Sequence, residues 1–515
     1  MIGAAPTPIA HPSIDWYALL PTMCVFGAAI VIVLARSLIR HHPRVHDAAL
    51  LIAVAGVAAA GVFVGVQWAF VHSDGPYQAV AGLVAVDGFA CFVQSVILGA
   101  TLLALLISAG YLKRERLESP EYFALMLCSA TGMLLMASAN DLITIFLSLE
   151  ILSISLYVLA AFDRRRLTSQ EAGLKYFILG SFSSAVFLYG IALVYGATGS
   201  TNLTQISNFL ANTLLLHDGT LLVGIVLLLV GLGFKVAAAP FHMWTPDVYQ
   251  GAPTPVTGFM AAAVKAAAFA AILRVFVGAL AVYRVDWQPA VAALAVLSLF
   301  VGSTAALVQT DVKRMLAYQS IAHAGYILVG VQSSTVQGTS AALFYALVYA
   351  VMTIGAFAVV MVVARQGDDR HSLAEYRGLA TSHPVLAAAL TLFLLAQAGV
   401  PLTGGFTAKL GIFEAAVDAQ EYWLALFAML ATVIGAFVYL RIILTMYSPQ
   451  EGETAPAGPR LRVDGGTRVA LAISAAAILF LGILPGAILD FARDATQVVV
   501  CATPGAHVPH TSCGQ

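Results

Sequence analysis

Four ionisable residues lie deep inside long apolar stretches of this 515-residue chain: Glu150, Lys235, Lys265 and Lys409. A charged side chain at the centre of a lipid bilayer costs about 2.5–3.5 kcal/mol on insertion scales. Burial favours the neutral form of a lysine, so a buried lysine is suited to taking up and releasing a proton. We therefore predict that these four residues transfer protons.

Lys235 lies in a segment that carries a second defect. The stretch from Leu229 to Gly258, LVGLGFKVAAAPFHMWTPDVYQGAPTPVTG, contains Pro240 shortly after the lysine. A proline removes a helical hydrogen bond and clashes with the preceding turn, and lipid cannot satisfy the backbone groups that a helix break leaves free. Protein or water must therefore surround this segment.

The four deep residues are three lysines and only one carboxylate. We expect Glu150 to pair with Lys235, because each would neutralise the field of the other in a low dielectric. Lys265, in AAAVKAAAFAA, would then have no carboxylate partner within the membrane. The alternative is a static ion pair that holds two helices together, and the excess of lysines argues against it.

Further polar residues have two interpretations each. His323, in LAYQSIAHAGY, either relays protons between lysines or is a hydrogen-bonded core residue. His242 either passes protons to the cytoplasmic side or caps the carbonyls freed at the break. Lys175 either pairs with Glu150 or reaches towards the membrane surface. Residues near helix ends are expected to brace loops or anchor helices: Asp247, Arg274 and Arg441.

The composition is that of an integral membrane protein. Hydrophobic residues make up 60% and charged residues only 10%, against about 25% charged in soluble domains. A net charge of −1 gives no indication of nucleic-acid binding. The five cysteines lack the spacing of a metal or iron–sulfur site, and no nucleotide-binding glycine loop occurs. A redox enzyme in its own right is therefore the least favoured interpretation.

Fourteen apolar segments approach the roughly 20 residues that a spanning helix needs. Segment 12 is too long for one plain helix and contains Gly399, Pro401, Gly404 and Gly405. The segments cover residues 17–38, 47–71, 86–111, 121–139, 141–161, 173–197, 220–241, 254–281, 290–309, 315–332, 338–364, 384–417, 422–447 and 468–491. The predicted fold is an all-α multi-pass membrane protein.

The loop charges predict the orientation. Lysine and arginine are retained on the cytoplasmic side, and 17 of the 25 lie in loops after odd-numbered segments. The other loops and both tails hold only Arg284 and Arg493. Both termini are therefore predicted to be extracytoplasmic. The exception is the loop after segment 7, which has no lysine or arginine although it should be cytoplasmic.

Two segments show the same defect in opposite order. In segment 7 the lysine precedes Pro240, whereas in segment 12 Lys409 follows Pro401. Broken helices at matching positions are typical of inverted repeats and of the transport site. We predict a three-helix segment, two inverted five-helix repeats and a final helix with a tail, with these limits: 1–120, 121–281, 282–447 and 448–515.

Three long motifs identify a family. The runs GLGFKVAAAPFHMWTPDVYQGAPTPVT, GLKYFILGSFSSA and DVKRMLAYQSIAHAGY resemble the antiporter-like membrane subunits of respiratory complex I. The resemblance covers almost the whole chain, with a fourteen-helix core over about residues 85–445. Lys409, in PLTGGFTAKLGIF, matches the subunit type that has a lysine rather than a glutamate at this position.

The resemblance implies roles for matching positions. Glu150 and Lys235 would be the pair on the cytoplasmic input side, and Lys175 would serve the same input. Lys265 would be the connecting group, and Lys409 the group nearest the extracytoplasmic exit. These roles are implied by the family alone, since the spacing predicts only depth and broken helices.

The resemblance also implies an activity and its partners. The chain would translocate protons in the bacterial cell membrane, driven by electron transfer from NADH to quinone in other subunits. It would bind no cofactor itself, whereas partner subunits would use NADH, FMN, iron–sulfur clusters and quinone. Its neighbours would be further antiporter-like subunits, small membrane subunits and lipid. The alternatives are a subunit of a multisubunit cation/proton antiporter and a non-transporting scaffold subunit.

Overall fold

The computed structural model describes residues 14–39, 45–449 and 461–500. Helices α1 to α6 follow predicted segments 1 to 6 closely. Their bounds are Trp16–Leu38, Val45–Asp74, Gly88–Glu115, Pro120–Ser138, Leu142–Ala160 and Leu167–Thr198. Acidic side chains begin several of these helices at the membrane surface: Asp87 accepts a hydrogen bond from the Ala90 N–H (2.7 Å), and Asp141 from the Ile143 N–H (2.8 Å).

Segments 7 and 12 are broken helices, as predicted. Segment 7 contains α8 (Gly219–Lys235), which ends before Pro240, and α9 (Trp244–Gly251) follows in the loop after it. Segment 12 consists of α16 (Pro384–Ala398) and α17 (Gly404–Asp418). Segment 8 is α10 (Thr254–Phe259) and α11 (Lys265–Ile272), with π-helical turns over Met260–Val264 and Leu273–Ala279. The remaining long helices are α12 (Arg284–Leu307), α13 (Val312–Ser333), α14 (Val336–Ala364), α18 (Tyr422–Tyr447) and α19 (Gly465–Ile483).

Several smaller elements were not predicted from the sequence. A hairpin of β1 (Tyr77–Ala79) and β2 (Val84–Val86) follows α2. Helix α7 (Leu203–Asn212) buries Leu203, Ile206, Ser207 and Leu210, one face of a surface helix. The others are the short helix α15 (Leu379–Ser382), the 3₁₀ turns Ala281–Tyr283 and Leu373–Tyr376, and a helix α20 (Gly486–Val500).

The predicted end of segment 14 is wrong. Helix α19 ends at Ile483, and α20 begins at Gly486, directly after Pro485. The proline cannot continue the first helix, because it has no N–H and its ring clashes with the preceding turn. Helix α20 packs back onto the bundle, with the Phe491 ring 4.0 Å from that of Trp68.

Eleven helical stretches of the described chain are long and apolar enough to cross a membrane, and α8 and α16 are shorter apolar pieces. The chain is therefore a multi-pass membrane protein, as predicted, and the number of fourteen crossings stays a prediction. The limits of the two repeats also stay a prediction.

Loops predicted to share a membrane side do meet. The Asn140 N–H, after α4, donates to the Leu83 carbonyl of the hairpin (2.8 Å), and Asn202, after α6, donates to the Gly82 carbonyl (2.8 Å). At the other end, Arg166, after α5, contacts Asp368, after α14 (3.2 Å). The charge pattern therefore sorted these loops correctly into two groups.

Helix packing in the second half depends on close backbone approach, which small residues permit. A Cβ atom at Gly302 of α12 would lie 2.4 Å from the Ala322 nitrogen of α13. By contrast, a Cβ atom at Gly61 of α2 would meet nothing within 4 Å. Gly302 therefore sets the distance between α12 and α13.

Replacing Gly302 with valine should force α12 and α13 apart and lower stability by about 1–3 kcal/mol or more, as overpacking does. Thermal unfolding of the purified protein in detergent would show a lower Tm. Gly61→Val is the matched control and should leave the Tm nearly unchanged. Equal Tm values for the two variants would contradict the packing argument.

Candidate proton-transfer path

Lys235 is the last residue of α8 and is 2% exposed. Its Nζ donates a hydrogen bond to Ser153 Oγ on α5 at 2.6 Å. The same nitrogen lies 5.5 and 5.6 Å from the ring centres of Tyr176 and Tyr157, distances at which aromatic faces attract a cation. The ammonium site is therefore built from a hydroxyl and aromatic rings.

The structure shows no direct contact between Lys235 and Glu150, so the predicted ion pair stays a prediction. No carboxylate oxygen of the described residues lies within 4.0 Å of Lys235 Nζ. Glu150 lies three residues before Ser153 on α5, and its Oε1 is buried without a hydrogen-bond partner. Ser153 accepts the hydrogen bond from the ammonium group, and Glu150, on the same helix, has a buried oxygen without a partner. Such buried unsatisfied groups are rare and mark strained or functional sites.

The break in segment 7 is lined by protein, as predicted. The Ala239 N–H donates to Ser298 Oγ on α12 (2.8 Å), and the Phe234 carbonyl accepts from Trp244 Nε1 (3.1 Å). Backbone groups freed by the break are thereby satisfied without lipid. His242 is half-buried beyond the break, and its Nδ1 has no hydrogen-bond partner. Its role as a relay stays a prediction.

Lys265 begins α11, directly after the π-helical turn Met260–Val264, a type of turn that is frequent at functional sites. Its Nζ donates to both the hydroxyl and the backbone carbonyl of Ser320 on α13. The Tyr349 hydroxyl donates to the same Ser320 Oγ at 2.8 Å. No ion pair of Lys265 occurs among the described residues.

His323 lies one turn after Ser320 on α13, between two tyrosine hydroxyls. Nδ1 is 2.7 Å from the Tyr345 hydroxyl, and Nε2 is 3.0 Å from the Tyr439 hydroxyl. Tyr439 donates its own hydrogen to Gln319 Oε1 (3.1 Å), so its oxygen accepts from His323 Nε2–H. Tyr345 then donates to Nδ1, which assigns the neutral tautomer from the hydrogen-bond network.

Lys409, on α17, binds at the second helix break. Its Nζ donates to the carbonyl of Ala398, the last residue of α16, at 3.1 Å and lies 4.8 Å from the Tyr326 ring centre. The carbonyl end of a helix attracts positive charge. Gly399 adopts φ = +87°, and a Cβ atom there would lie 2.9 Å from Lys409 Cδ. Glycine is therefore required for the lysine to reach the carbonyl.

One face of α13 connects these sites. Ser320, His323 and Tyr326 follow one another at intervals of three residues and contact Lys265, the tyrosine pair and Lys409 in that order. The structure thus places His323 between the two lysines. Its ring is also hydrogen-bonded on both nitrogens, and its role as a relay stays a prediction. Sequence analysis missed Tyr345 and Tyr439, which belong to other helices and carry no local signal.

Lys175 does not pair with Glu150. Its Nζ contacts Glu171 (2.6 Å) and Asp247 (2.7 Å), and Asp247 also accepts from Arg314 on α13 (2.6 Å). Asp247 therefore braces α9 against α6 and α13, as predicted for a bracing residue. Arg274 likewise anchors its helix, through a two-pronged contact with Asp87 at 2.8 and 3.0 Å.

The loop after segment 7 receives its positive charge from another helix. Lys313, at the start of α13, donates to the Ala252 carbonyl (2.8 Å), and its neighbour Arg314 holds Asp247. A lysine or arginine within the loop itself would face these two cations. This explains why a loop on the cation-rich side contains neither residue.

No group of three or more His, Cys, Asp or Glu that would hold a metal ion occurs in the described part of the chain. Cys24, Cys91 and Cys128 are free thiols. Cys501 and Cys513, which share the C-terminal tail, lie outside the described residues.

Comparison with known proteins identifies the family. Residues 139–435 match the family model described as "NADH:quinone oxidoreductase/Mrp antiporter, TM". The chain is 47% identical to NADH-quinone oxidoreductase subunit N of Trichlorobacter lovleyi, over 81% of this chain and 85% of the relative. The chain therefore belongs to the NADH:quinone oxidoreductase/Mrp antiporter family. Among its members the chain is similar to subunit N, the subunit type that Lys409 predicted.

Two solved structures support the fold. A chain of respiratory complex I from Thermus thermophilus matches with a TM-score of 0.77 at 36% identity, over 91% of this chain and 98% of that chain. A chain of the Mrp complex from Dietzia sp. matches with a TM-score of 0.81 at 20% identity, over 97% and 99%. The second likeness shows a shared fold alone.

Replacing Ser320 with alanine should remove the hydroxyl that Lys265 and Tyr349 share. A hydrogen bond to a charged group contributes about 1.5–3 kcal/mol, so proton uptake by vesicles that contain the assembled complex should slow roughly tenfold or more. Ser303→Ala is the control, because this buried hydroxyl of α12 donates to the Ala431 carbonyl and contacts none of the three buried lysines among the described residues. Normal proton uptake in Ser320→Ala would contradict the role of this contact.

Proposed function

We propose that this chain is a proton-translocating membrane subunit of an NADH:quinone oxidoreductase, of the subunit N type. One observation carries the proposal. Lys235, Lys265 and Lys409 are all buried, and their hydrogen-bond partners are hydroxyl and carbonyl oxygens. A buried lysine held by a carboxylate would be a static charge, whereas these partners accept from either the ammonium or the neutral amine.

The input step is a movement of Lys235 between two oxygens on α5. Ser153 and Glu150 are three residues apart and so lie on neighbouring positions of one helix face. When Lys235 is bound to Ser153, the Glu150 oxygen is unsatisfied. Approach to Glu150 stabilises the charged lysine, and return to Ser153 favours release of its proton. Redox chemistry in partner subunits would drive this exchange.

The proton then passes from Lys235 towards Lys265 and, through Ser320, His323 and the surrounding tyrosines, to Lys409. Moving one charge against 100 mV requires about 2.3 kcal/mol. A single hydrogen bond to a charged group contributes about 1.5–3 kcal/mol. Making or breaking one such contact at Lys235 is therefore sufficient for one step.

The two inverted repeats, 121–281 and 282–447, are part of the proposal. Asp141, which caps α5, forms a β-bridge with Asn202, and Asp311, which caps α13, forms one with Ser372. In each half the bridge joins the loop before that half's second helix to the loop after its third helix. Equivalent bridges on opposite membrane sides support an inverted duplication.

The same proposal covers location and assembly. The chain would lie in the bacterial cell membrane with both termini extracytoplasmic, as the loop charges predict. It would contact neighbouring antiporter-like and small membrane subunits, and other partner subunits of the complex would use NADH, FMN, iron–sulfur clusters and quinone. This chain would contribute proton transfer alone. The identity to subunit N relatives favours this assignment over a cation/proton antiporter subunit or a scaffold subunit.

Replacing Lys235 with methionine keeps a long apolar side chain but removes the titrating group. In vesicles that contain the assembled complex, proton pumping per NADH oxidised should be abolished or sharply reduced. The readouts are acidification of the vesicle interior and NADH oxidation, measured in the same preparation.

Lys113→Met is the matched control. Lys113 is half-exposed and paired with Asp47 (2.8 Å) near the end of α3. It lies outside the proposed path, so its replacement should leave the pumping ratio unchanged. An unchanged ratio in Lys235→Met would refute the proposed function, and loss of assembly in both variants would favour the scaffold alternative.

A further inference from the structure

A cavity of about 590 Å³ opens on the side that the loop charges assign to the cytoplasm. Its walls come from the loop after α5, the first turns of α6, helix α9 and the loop after α14. Five carboxylates line it: Glu171, Asp247, Asp311, Asp368 and Asp369. Arg165, Arg166, Lys175 and His371 also line it, and Lys313 and Arg314 contact Asp368 and Asp247 from behind the wall. The carboxylates attract protons and cations to the cavity, and the neighbouring cations keep it close to neutral.

Asp368 is the most enclosed of these carboxylates, with 0% of its side chain exposed. It accepts hydrogen bonds from the Thr254 hydroxyl (2.6 Å), the Thr254 N–H (3.1 Å) and the Tyr111 hydroxyl (3.3 Å). Burial alone would raise the pKa of Asp368, but Lys313, His371 and Arg166 together hold the pKa well below its usual value. Asp368 is therefore a permanent buried negative charge in this loop.

His371 lies against this charge and is 4% exposed. Its Nε2 is 2.9 Å from the Asp368 backbone carbonyl and 3.3 Å from Asp368 Oδ1. Both oxygens only accept, so Nε2 carries the hydrogen of the neutral ring. Nδ1 is buried and has no hydrogen-bond partner. Nδ1, which carries the lone pair of the neutral ring, is therefore the nitrogen of His371 that can bind a proton.

We propose that His371, held by Asp368, is the group that takes up protons from the cytoplasm for this subunit. The inference rests on the proposed function and names its entrance. A proton from the cytoplasm binds at Nδ1 and passes from there to Asp247, the cavity carboxylate that contacts Lys175, while Nε2–H stays bound to Asp368. The pair is unchanged after each transfer.

The charges around the pair suit this role. Arg166 and Lys313 lie 3.2 and 3.8 Å from Asp368 and oppose a second positive charge on His371. Asp368 offsets part of this repulsion, and Asp311, which also lines the cavity, lies at the start of α13 next to Lys313. His371 therefore lies between charges of both signs. Lys175 and Asp247 line the same cavity, and Tyr176, next to Lys175, packs against Lys235.

The test uses inverted membrane vesicles with the assembled complex, whose cytoplasmic face is outside. His371→Ala should slow proton uptake at least fivefold while NADH oxidation in the presence of an uncoupler stays normal. Imidazole in the outer buffer should restore uptake, because it replaces the missing proton carrier. A merely structural histidine would not respond to a soluble buffer in this way.

His371→Gln is the second variant, because its amide can still donate to Asp368 but cannot titrate. It should show the same slow uptake and the same rescue. His217→Ala is the control, since His217 is exposed in the loop between α7 and α8. Normal uptake in His371→Gln would overturn the inference, as would slow uptake that imidazole fails to restore.

The two proposals fail separately. If Lys235→Met abolishes pumping and both His371 variants pump normally, only the entrance is wrong. If Lys235→Met pumps normally, the proposed function itself fails, whatever the His371 variants do.

Discussion

The arrangement of the buried part of this protein depends on three lysines, none of which contacts a carboxylate among the described residues. Lys235, Lys265 and Lys409 are held by neutral oxygens, from Ser153, Ser320 and the Ala398 carbonyl. A charge-assisted hydrogen bond to a neutral oxygen stabilises an ammonium, but it does not return the full free energy lost on leaving water. The neutral amine donates to the same oxygens. Both protonation states therefore fit one geometry, and a proton can move without repacking of helices.

The lysines at the two helix breaks have different hydrogen-bond partners. In the first half, Trp244 takes the freed Phe234 carbonyl, and Lys235 is left with a hydroxyl on α5 near Glu150. In the second half, Lys409 itself binds the freed Ala398 carbonyl. A backbone carbonyl does not titrate, whereas Glu150 does. Each of the two breaks is next to a buried lysine. Lys235 also lies near the titratable carboxyl group of Glu150, so a change of charge on Glu150 acts on Lys235.

The sequence was sufficient for the apolar segments, the two broken helices, the burial of the three lysines and the sorting of loops. Each of these depends on composition or on a proline in the chain itself. The sequence was insufficient to predict which side chains contact the buried lysines. Ser153 and Glu150 share a helix face, and only the position of α8 against α5 decides which one binds Lys235. The inward fold of the loop that carries Asp368 and His371 likewise depends on contacts with four distant elements. The helix break at Pro485 could have been predicted from the proline itself, but the sequence analysis missed it.

Helix α13 joins the loops at one end of the bundle to the buried lysines. Its first turn carries Lys313 and Arg314, which hold the loop after segment 7, and its next turns carry Ser320, His323 and Tyr326. Arg314 and Ser320 are six residues apart, or about 9 Å along the helix axis at 1.5 Å per residue. At an effective dielectric constant of about 20, two unit charges at that distance interact by about 2 kcal/mol. That is comparable to the work of moving one proton against 100 mV. Helix α13 contacts both the loop after segment 7, through Lys313 and Arg314, and Lys265, through Ser320.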